Sequence, residues 1–257
     1  MSGVVSGLIG LRVLDAHMHL DDLPEQGVRI TAADCVARMD EAGVDAAVVM
    51  TFVEAPQGGG DPLSRIAAAC AQYPGRLIGF VRLHPAYGDE ARRLLEHAVT
   101  QLGFRGLKLH PVGSLVHPAE PSSVALVREA ARLGVPVLFH CGDEALCTPY
   151  QIAALARACP EATVILGHMG GYHHVDDAIA VGEELPNVVL ETSAMPYPEK
   201  IAEAVSRVGA ERVIFGSDGP MCSPRLEIEK VRLAGLRPGD ARRVLGENVA
   251  ELLGLTR

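Results

Sequence analysis

Two histidines separated by a single residue are the first feature of this sequence that could do chemistry. His17 and His19 stand in the segment VLDAHMHL, where a short apolar run ends. Residues i and i+2 of a strand point to the same face, so the two imidazoles can share one ligand. Such a pair suits a divalent metal ion, but two ligands do not complete a site. The other ligands must come from elsewhere in the chain.

Polar residues end later apolar segments in the same way. In chain order they are Arg82, His84, Lys108, His110, His140, His168, Glu191 and Asp218. Taken singly, a histidine in this position is an ordinary hydrogen-bonded residue, and an aspartate is an ordinary helix cap. Their repetition favours a common site, provided that the apolar segments are neighbouring strands of one sheet.

The apolar segments alternate with segments of helical periodicity. Strands are predicted over 12–16, 46–51, 77–82, 104–109, 135–139, 163–166, 188–191 and 212–215. Helices are predicted over 31–43, 61–72, 88–102, 120–133, 149–158, 174–184, 198–208 and 239–253. Eight strand–helix units predict a (β/α)8 TIM barrel, with residues 1–257 as one domain. A doubly wound sheet alternates similarly but needs fewer units.

In a (β/α)8 barrel, the side chains at the carboxyl ends of the strands surround the active site. With the predicted strands, His17, His19, His140, His168 and Asp218 converge on one rim. Imidazole and carboxylate ligands are most typical of zinc, with manganese, iron and cobalt as alternatives. The pattern therefore predicts a metal centre at the mouth of the barrel.

The composition excludes several classes of partner. The net charge of −9 argues against nucleic acid and against an anionic membrane surface. We find no apolar run long enough for a membrane span, and the first residues lack the basic segment of a signal peptide. Six scattered cysteines without a C-x-x-C pair fit reduced thiols. We expect a cytoplasmic protein acting on a small molecule, and whether it forms a homo-oligomer stays open.

Taken together, the motifs resemble the amidohydrolase superfamily of metal-dependent barrels. The closer similarity is to the amidohydrolase-related branch that contains the aminocarboxymuconate-semialdehyde decarboxylase-like enzymes. It is carried by DAHMHL, GFRGLKLHP, VILGHMGG, FGSD and RRVLGENVAELLGL, which span nearly the whole chain. These motifs are specific for the superfamily and poorly specific for the substrate.

The resemblance implies that His17, His19, His140 and Asp218 bind one divalent metal. His168 would lie beside it, either as a ligand to a second metal or as a proton and charge partner. In binuclear members of the superfamily a carboxylated lysine at the end of the fourth strand bridges two metals, and Lys108 occupies that strand. In mononuclear members the lysine binds substrate instead, and a third reading makes Lys108 an ion-pair partner of Glu191. We favour one metal, with two as the alternative.

Two reactions fit the same ligands. In the first, metal-activated water attacks an amide, ester or lactone, with Asp218 as the base and His168 stabilising the attacked carbonyl. Lys108, His110, Arg82 and His84 would form a cationic lining for a substrate carboxylate. The alternative for Arg82 and His84 is that the third strand orients both into the helix layer.

The second reaction is non-oxidative decarboxylation, a carbon–carbon bond cleavage with the metal holding a substrate oxygen. Compact loops favour the hydrolase, because decarboxylases of this branch often have longer chains. A non-catalytic metal-binding barrel is the third possibility, and the intact ligand set argues against it.

Overall fold

The computed structural model describes residues 13–56 and 61–255. The start of the first predicted strand and the middle of the loop 56–62 lie outside the described residues. Eight parallel strands form one sheet. In their order across the sheet they are β1 Leu14–His19, β4 Ala46–Met50, β5 Leu77–Arg82, β6 Gly106–Leu109, β7 Val137–His140, β8 Val164–Gly167, β9 Val188–Glu191 and β10 Val213–Ile214. The predicted TIM barrel is confirmed.

Hydrogen bonds between the first strand and the segment after the last one close the barrel. The backbone N–H of Asp218 donates to the carbonyl of His17 at 2.7 Å, and that of His19 donates to Gly219 at 2.7 Å. The His17 and Ser217 N–H groups both donate to the buried Asp15 carboxylate, at 3.0 and 2.9 Å. We call this junction the seam. It places the motifs DAHMH and GSDG side by side.

Eleven α-helices are described in the ranges 13–56 and 61–255. They are α1 Ala32–Ala42, α2 Pro62–Gln72, α3 Asp89–Thr100, α4 Pro111–Ser114, α5 Pro121–Arg132, α6 Pro149–Ala158, α7 Val175–Glu184, α8 Pro198–Val208, α9 Pro224–Leu233, α10 Pro238–Arg242 and α11 Asn248–Leu252. None of the described helices is long and apolar enough to cross a membrane.

Several elements differ from the prediction, among them the short helix α4, which was not predicted. A short antiparallel hairpin, β2 Asp21–Leu23 with β3 Val28–Ile30, follows the first strand. Helix α9 was missed because charged residues hide its narrow apolar face, in which Ile228 and Val231 are buried. The predicted helix 239–253 is interrupted by a π-helical turn over Arg243–Glu247.

A bulge in β1 turns the two histidines into the barrel. The register against β4 shifts between Asp15 and Met18. Leu14 lies in the apolar cluster inside the barrel, whereas Met18 packs in the cluster between the barrel and the helices. The inward positions therefore change from even to odd numbers along the strand. The predicted strand 12–16 ended too early, and His17 and His19 belong to β1 itself.

The inner cluster depends on one glycine, and its substitution is testable. Gly106 lies opposite Phe80 in the β5–β6 register, and a Cβ at Gly106 would lie 2.2–2.5 Å from the Phe80 ring. Both residues are buried in the barrel, so we expect Gly106→Ala to lower the free energy of unfolding by about 1–3 kcal/mol. Urea denaturation measures this change. Gly239→Ala, where the nearest atom is 3.9 Å away, is the matched control, and equal midpoints for the two variants would contradict the prediction.

Candidate metal centre

Three predicted ligands converge at the seam. His17 Nε2 and His19 Nε2 lie 3.2 Å apart, and Asp218 Oδ1 lies 3.6 Å from the first and 3.2 Å from the second. Donor atoms of a tetrahedral ion bound at about 2.1 Å are separated by about 3.4 Å. The triangle of nitrogen and carboxylate donors therefore fits a divalent metal ion in both size and chemistry.

Two residues of the candidate site, Asp218 and His168, have left-handed backbone conformations. Asp218 has a φ of 58° and His168 a φ of 66°, neither being glycine. Such conformations cost on the order of 1–3 kcal/mol and persist where the surrounding structure fixes them. The seam fixes Asp218 through its N–H bond to His17. Strain at two candidate site residues supports a functional role for both.

His168 and His140 extend the cluster on the far side of His17. Nitrogen or oxygen atoms of His17, His168 and Asp218 all lie within 4.8 Å of one another. His168 Nε2 lies 3.1 Å from His140 Nδ1, and His140 Nε2 lies 3.2 Å from Glu144. The structure thus brings together all five residues predicted for the rim. It places His140 against His168 and Glu144, whereas His17, His19 and Asp218 contact one another directly.

Lys108 lies at the centre of the cluster and is 1 % exposed. Its Nζ is 2.9 Å from His17 Nε2. The opposite nitrogen of the same ring, Nδ1, is 3.1 Å from Glu191. The His17 ring therefore separates Lys108 from Glu191, so the direct ion pair considered above is wrong. Burial and the nearby charge of Arg82 lower the pKa of Lys108 to about 7.

The other predicted substrate residues divide into two groups. Arg82 is buried and pairs with Glu54 at 3.2 Å, and its Nε has no hydrogen-bond partner among the described residues. His110 stacks on His140 with ring centroids 4.2 Å apart. His84 instead caps the short helix 85–87, where its Nδ1 accepts a hydrogen bond from Ala86. Arg82 and His110 therefore border the cluster, and His84 has a local structural role.

From the sequence, Glu191 was considered only as an ion-pair partner of Lys108, and Ser193 and Phe52 were not singled out. Glu191 and Ser193 are fully buried and contact both His17 and His168. Phe52 stacks on His19 with centroids 4.3 Å apart. The run LETS after an apolar strand was the available signal, since two buried polar residues at i and i+2 share a face.

Burial controls the protonation of this cluster. It lowers the pKa of His17, His19 and His168, and with the help of Lys108 it lowers that of His140 to about 4. Burial opposes ionisation of Asp218, but the hydrogen bond from His19 and the nearby histidines outweigh it and hold the Asp218 pKa well below its usual range. Neutral imidazoles and an ionised carboxylate are the forms that bind metals.

We expect the metal-free protein to lose stability between pH 6.5 and 4. In this range the unfolded chain binds more protons than the folded chain at His17, His19, His140 and His168, so stability rises with pH. Burial raises the pKa of Asp15 to about 7. This single group therefore adds stability as the pH falls, in opposition to the four histidines. Thermal unfolding in the presence of a chelator should show a midpoint at least about 5 °C lower at pH 5 than at pH 7. An unchanged midpoint would contradict the burial of neutral histidines.

Comparison with known proteins identifies the family and the fold. The amidohydrolase family model matches residues 14–255. None of the curated proteins compared with the sequence matches it. Among solved structures, an uncharacterized TIM-barrel protein of Bordetella bronchiseptica has a TM-score of 0.79 at 18% identity, over 95% of this chain and 99% of that one.

Two further similar structures are decarboxylases. The dihydroxybenzoic acid decarboxylase of Polaromonas sp. JS666, with bound manganese and the inhibitor 2-nitroresorcinol, has a TM-score of 0.76 at 18% identity, over 96% of this chain and 98% of that one. The 2,6-dihydroxybenzoate decarboxylase of Rhizobium has a TM-score of 0.75 at 17% identity, over 95% and 99%. These likenesses show the shared barrel. With the family match over nearly its whole length, the chain belongs to the amidohydrolase family.

Proposed function

We propose that the protein is a metal-dependent, non-oxidative decarboxylase of a small hydroxylated aromatic acid. The observation that carries this proposal is the buried cationic pair, Lys108 and Arg82, beside a cluster of metal-binding donors. Such a pair suits a substrate whose reacting group is itself a carboxylate. The likeness to the two decarboxylases supports decarboxylation over hydrolysis, which the compact loops had favoured. The matches extend over 98% and 99% of those decarboxylase chains, so the likeness is not confined to one part of them.

His17, His19 and Asp218 would hold one divalent ion, with His140 as the fourth ligand. Manganese is our first choice and zinc the second, because the Polaromonas structure contains manganese. When bound, the ion supplies Lewis-acid stabilisation of negative charge on a substrate oxygen. Asp218 is then a ligand rather than the base of a hydrolytic reaction, since a carboxylate held this strongly in its ionised form is a weak base.

Lys108 and Arg82 are proposed to bind the substrate carboxylate. Arg82 is oriented by Glu54, and its Nε, which has no partner within the described ranges 13–56 and 61–255, is available to a further acceptor. Lys108 approaches from the neighbouring strand, directly opposite Arg82 in the β5–β6 register. The ring of His110, stacked on His140, borders the same region. Two cations on adjacent strands can hold a carboxylate in one orientation while the carbon–carbon bond breaks.

His168 is proposed to carry the proton. Its Nε2 faces the cluster, and the side chain is only 6 % exposed, so water has little access. His168 takes the hydroxyl proton of the substrate and returns it to the ring carbon that bears the carboxylate. The carbon–carbon bond then breaks, its electron pair returns to the ring and carbon dioxide leaves. Solvent supplies the proton that restores the phenol.

The test follows the fate of the carboxylate. Protein loaded with manganese or with zinc is incubated with a panel of hydroxybenzoates, and carbon dioxide release is measured beside product formation. Aryl esters and lactones are assayed in parallel, with release of acid as the readout. We expect carbon dioxide from at least one hydroxybenzoate and none from protein treated with a chelator. Acid release from esters alone would establish the hydrolase, and less than about one-tenth equivalent of bound metal after loading would contradict both enzymes.

A further inference from the structure

A fully buried carboxylate lies behind the candidate metal centre. Glu191 ends β9, and neither it nor Ser193 exposes any surface. Glu191 Oε2 accepts hydrogen bonds from His17 Nδ1 at 3.1 Å, Ser193 Oγ at 2.9 Å and the His168 backbone N–H at 3.2 Å. Oε1 accepts one from the Ser193 backbone N–H at 2.6 Å. Four donors therefore surround one carboxylate, which can only accept.

The single hydroxyl proton of Ser193 decides what His168 must do. Because that proton is donated to Glu191, the Ser193 oxygen can only accept from its remaining neighbours. One neighbour is His168 Nδ1, at 2.9 Å. Nδ1 of His168 therefore carries the ring proton, and Nε2 accepts from His140 Nδ1 at 3.1 Å. The Glu144 carboxylate, 3.2 Å from the other ring nitrogen of His140, is half exposed and can be replaced there by water, whereas Ser193 is fully buried.

The contacts of His17 place its proton in the same way. Its Nδ1 faces Glu191 and must donate, since a carboxylate has no proton to give. Its Nε2 faces Lys108 at 2.9 Å, and a lysine side chain can donate to it whether charged or neutral. The first contact requires the proton on Nδ1 of His17, and the second is satisfied by it.

We infer that Glu191, directly at His17 and through Ser193 at His168, sets the tautomer of both histidines, so that both Nε2 lone pairs face the cluster of candidate ligands. Glu191 and Ser193 are positioning residues. One buried carboxylate thereby prepares a metal ligand and a proton acceptor together. This inference rests on the proposed function for the roles of the two histidines, but the tautomers themselves do not depend on it.

The space occupied by Glu191 is maintained by a glycine. A Cβ at Gly216 would lie 2.3 Å from Glu191 Oε1 and 3.0 Å from the His17 Cβ. No other residue fits at Gly216 without displacing the carboxylate. Steric exclusion therefore explains the glycine in the FGSD motif. This glycine leaves room for the Glu191 carboxylate behind the two histidines.

Nitrogen NMR tests the tautomers directly. Protein labelled with ¹⁵N only in its ten histidines is studied with and without zinc, which is diamagnetic, and single His→Gln variants at positions 17 and 168 assign the signals. Two-bond ¹H–¹⁵N correlations distinguish Nδ1–H from Nε2–H. We expect Nδ1–H for both histidines in the native protein. In Ser193→Ala we expect His168 to become a mixture of tautomers while His17 keeps Nδ1–H.

Controls make the result decisive. Ser123→Ala removes another buried serine hydroxyl, one that bonds the His117 carbonyl far from the cluster, and should leave both tautomers unchanged. An Nε2–H tautomer of His168 in the native protein, or an unchanged His168 in Ser193→Ala, would overturn the inference. Neither reading requires metal or turnover, so failure of the proposed function would be seen separately as absent metal binding or absent carbon dioxide.

Metal affinity and kinetics distinguish the effect of Glu191 on His17 from its effect, through Ser193, on His168. Ser193→Ala should lower kcat about 10–100-fold and change the metal Kd less than about 3-fold. Ser193 Oγ lies 2.9 Å from His168 Nδ1 but 3.5 Å from His17 Nδ1, which keeps its closer contact with Glu191 in the variant. Glu191→Gln should raise the metal Kd about 10–100-fold as well, because His17 is also affected. Kd is measured by competition with a chromogenic chelator. Equal losses of metal affinity in the two variants would contradict separate effects on His17 and His168.

Discussion

Asp218→Asn is expected to lower kcat/KM of the decarboxylation by at least about 1,000-fold, more than the 10–100-fold that outer residues of metal sites contribute. The reason is the loss of charge at the seam, where Asp218 Oδ1 contacts both His17 and His19. Asparagine keeps the size of the side chain but removes the negative charge that would balance a divalent ion. We therefore expect the metal Kd to rise together with the loss of activity.

Two measurements distinguish this effect from misfolding. Chelator competition gives the metal Kd of each variant, and thermal unfolding of the metal-free proteins gives their stability. Asp22→Asn, which alters an exposed aspartate on the hairpin next to the site, is the matched control and should behave as the native protein. Native metal affinity in Asp218→Asn would remove Asp218 from the ligand set.

Lys108→Met is expected to lower kcat/KM about 100-fold or more while one equivalent of metal remains bound. Methionine has a similar length but no charge, and losing one partner of a buried charge pair costs about 2–5 kcal/mol. Since Lys108 is proposed to bind the substrate carboxylate, most of the loss should appear in KM. Steady-state kinetics with metal analysis of the same sample measures both effects.

The same variant discriminates between the roles considered for Lys108. A carboxylated lysine bridging two ions would give two equivalents of metal in the native protein and a loss of metal in Lys108→Met. Lys200→Met, which removes a lysine paired with Asp176 and Glu203 on the outer helices, is the control for the loss of one positive charge. Native kinetics in Lys108→Met would exclude contact between Lys108 and substrate.

Much of this site could be predicted from the sequence because a (β/α)8 barrel repeats one strand–helix unit, and the carboxyl ends of its strands lie at one rim. Once the polar residues were assigned to strand ends, His17, His168 and Asp218 had to meet at one rim, although they are far apart in the chain. The family match then confirmed the fold that this repetition implied. Residue types and strand order were sufficient to predict which side chains meet at the rim.

Other features could not be predicted because they depend on distances of a few ångströms. No periodicity indicates the bulge that reverses the facing of β1 between Leu14 and Met18. The hydrogen bond from Ser193 to Glu191 depends on a strand end whose backbone direction is known only from the fold. The sequence also favoured hydrolysis over decarboxylation, and it had little power to decide, since both reactions use the same ligands.

The seam between the first and last strands has a consequence for biosynthesis. Asp15 and Ser217, which hydrogen-bond across it, are 202 residues apart, and the proposed ligands His17 and Asp218 are their close neighbours. A nascent chain therefore cannot assemble these ligands until its final strand has been synthesised and has docked, the slowest kind of contact to form. Metal acquisition would follow barrel closure, and the bound ion would then cross-link the two ends of the barrel, stabilising the closed protein in proportion to the logarithm of metal concentration.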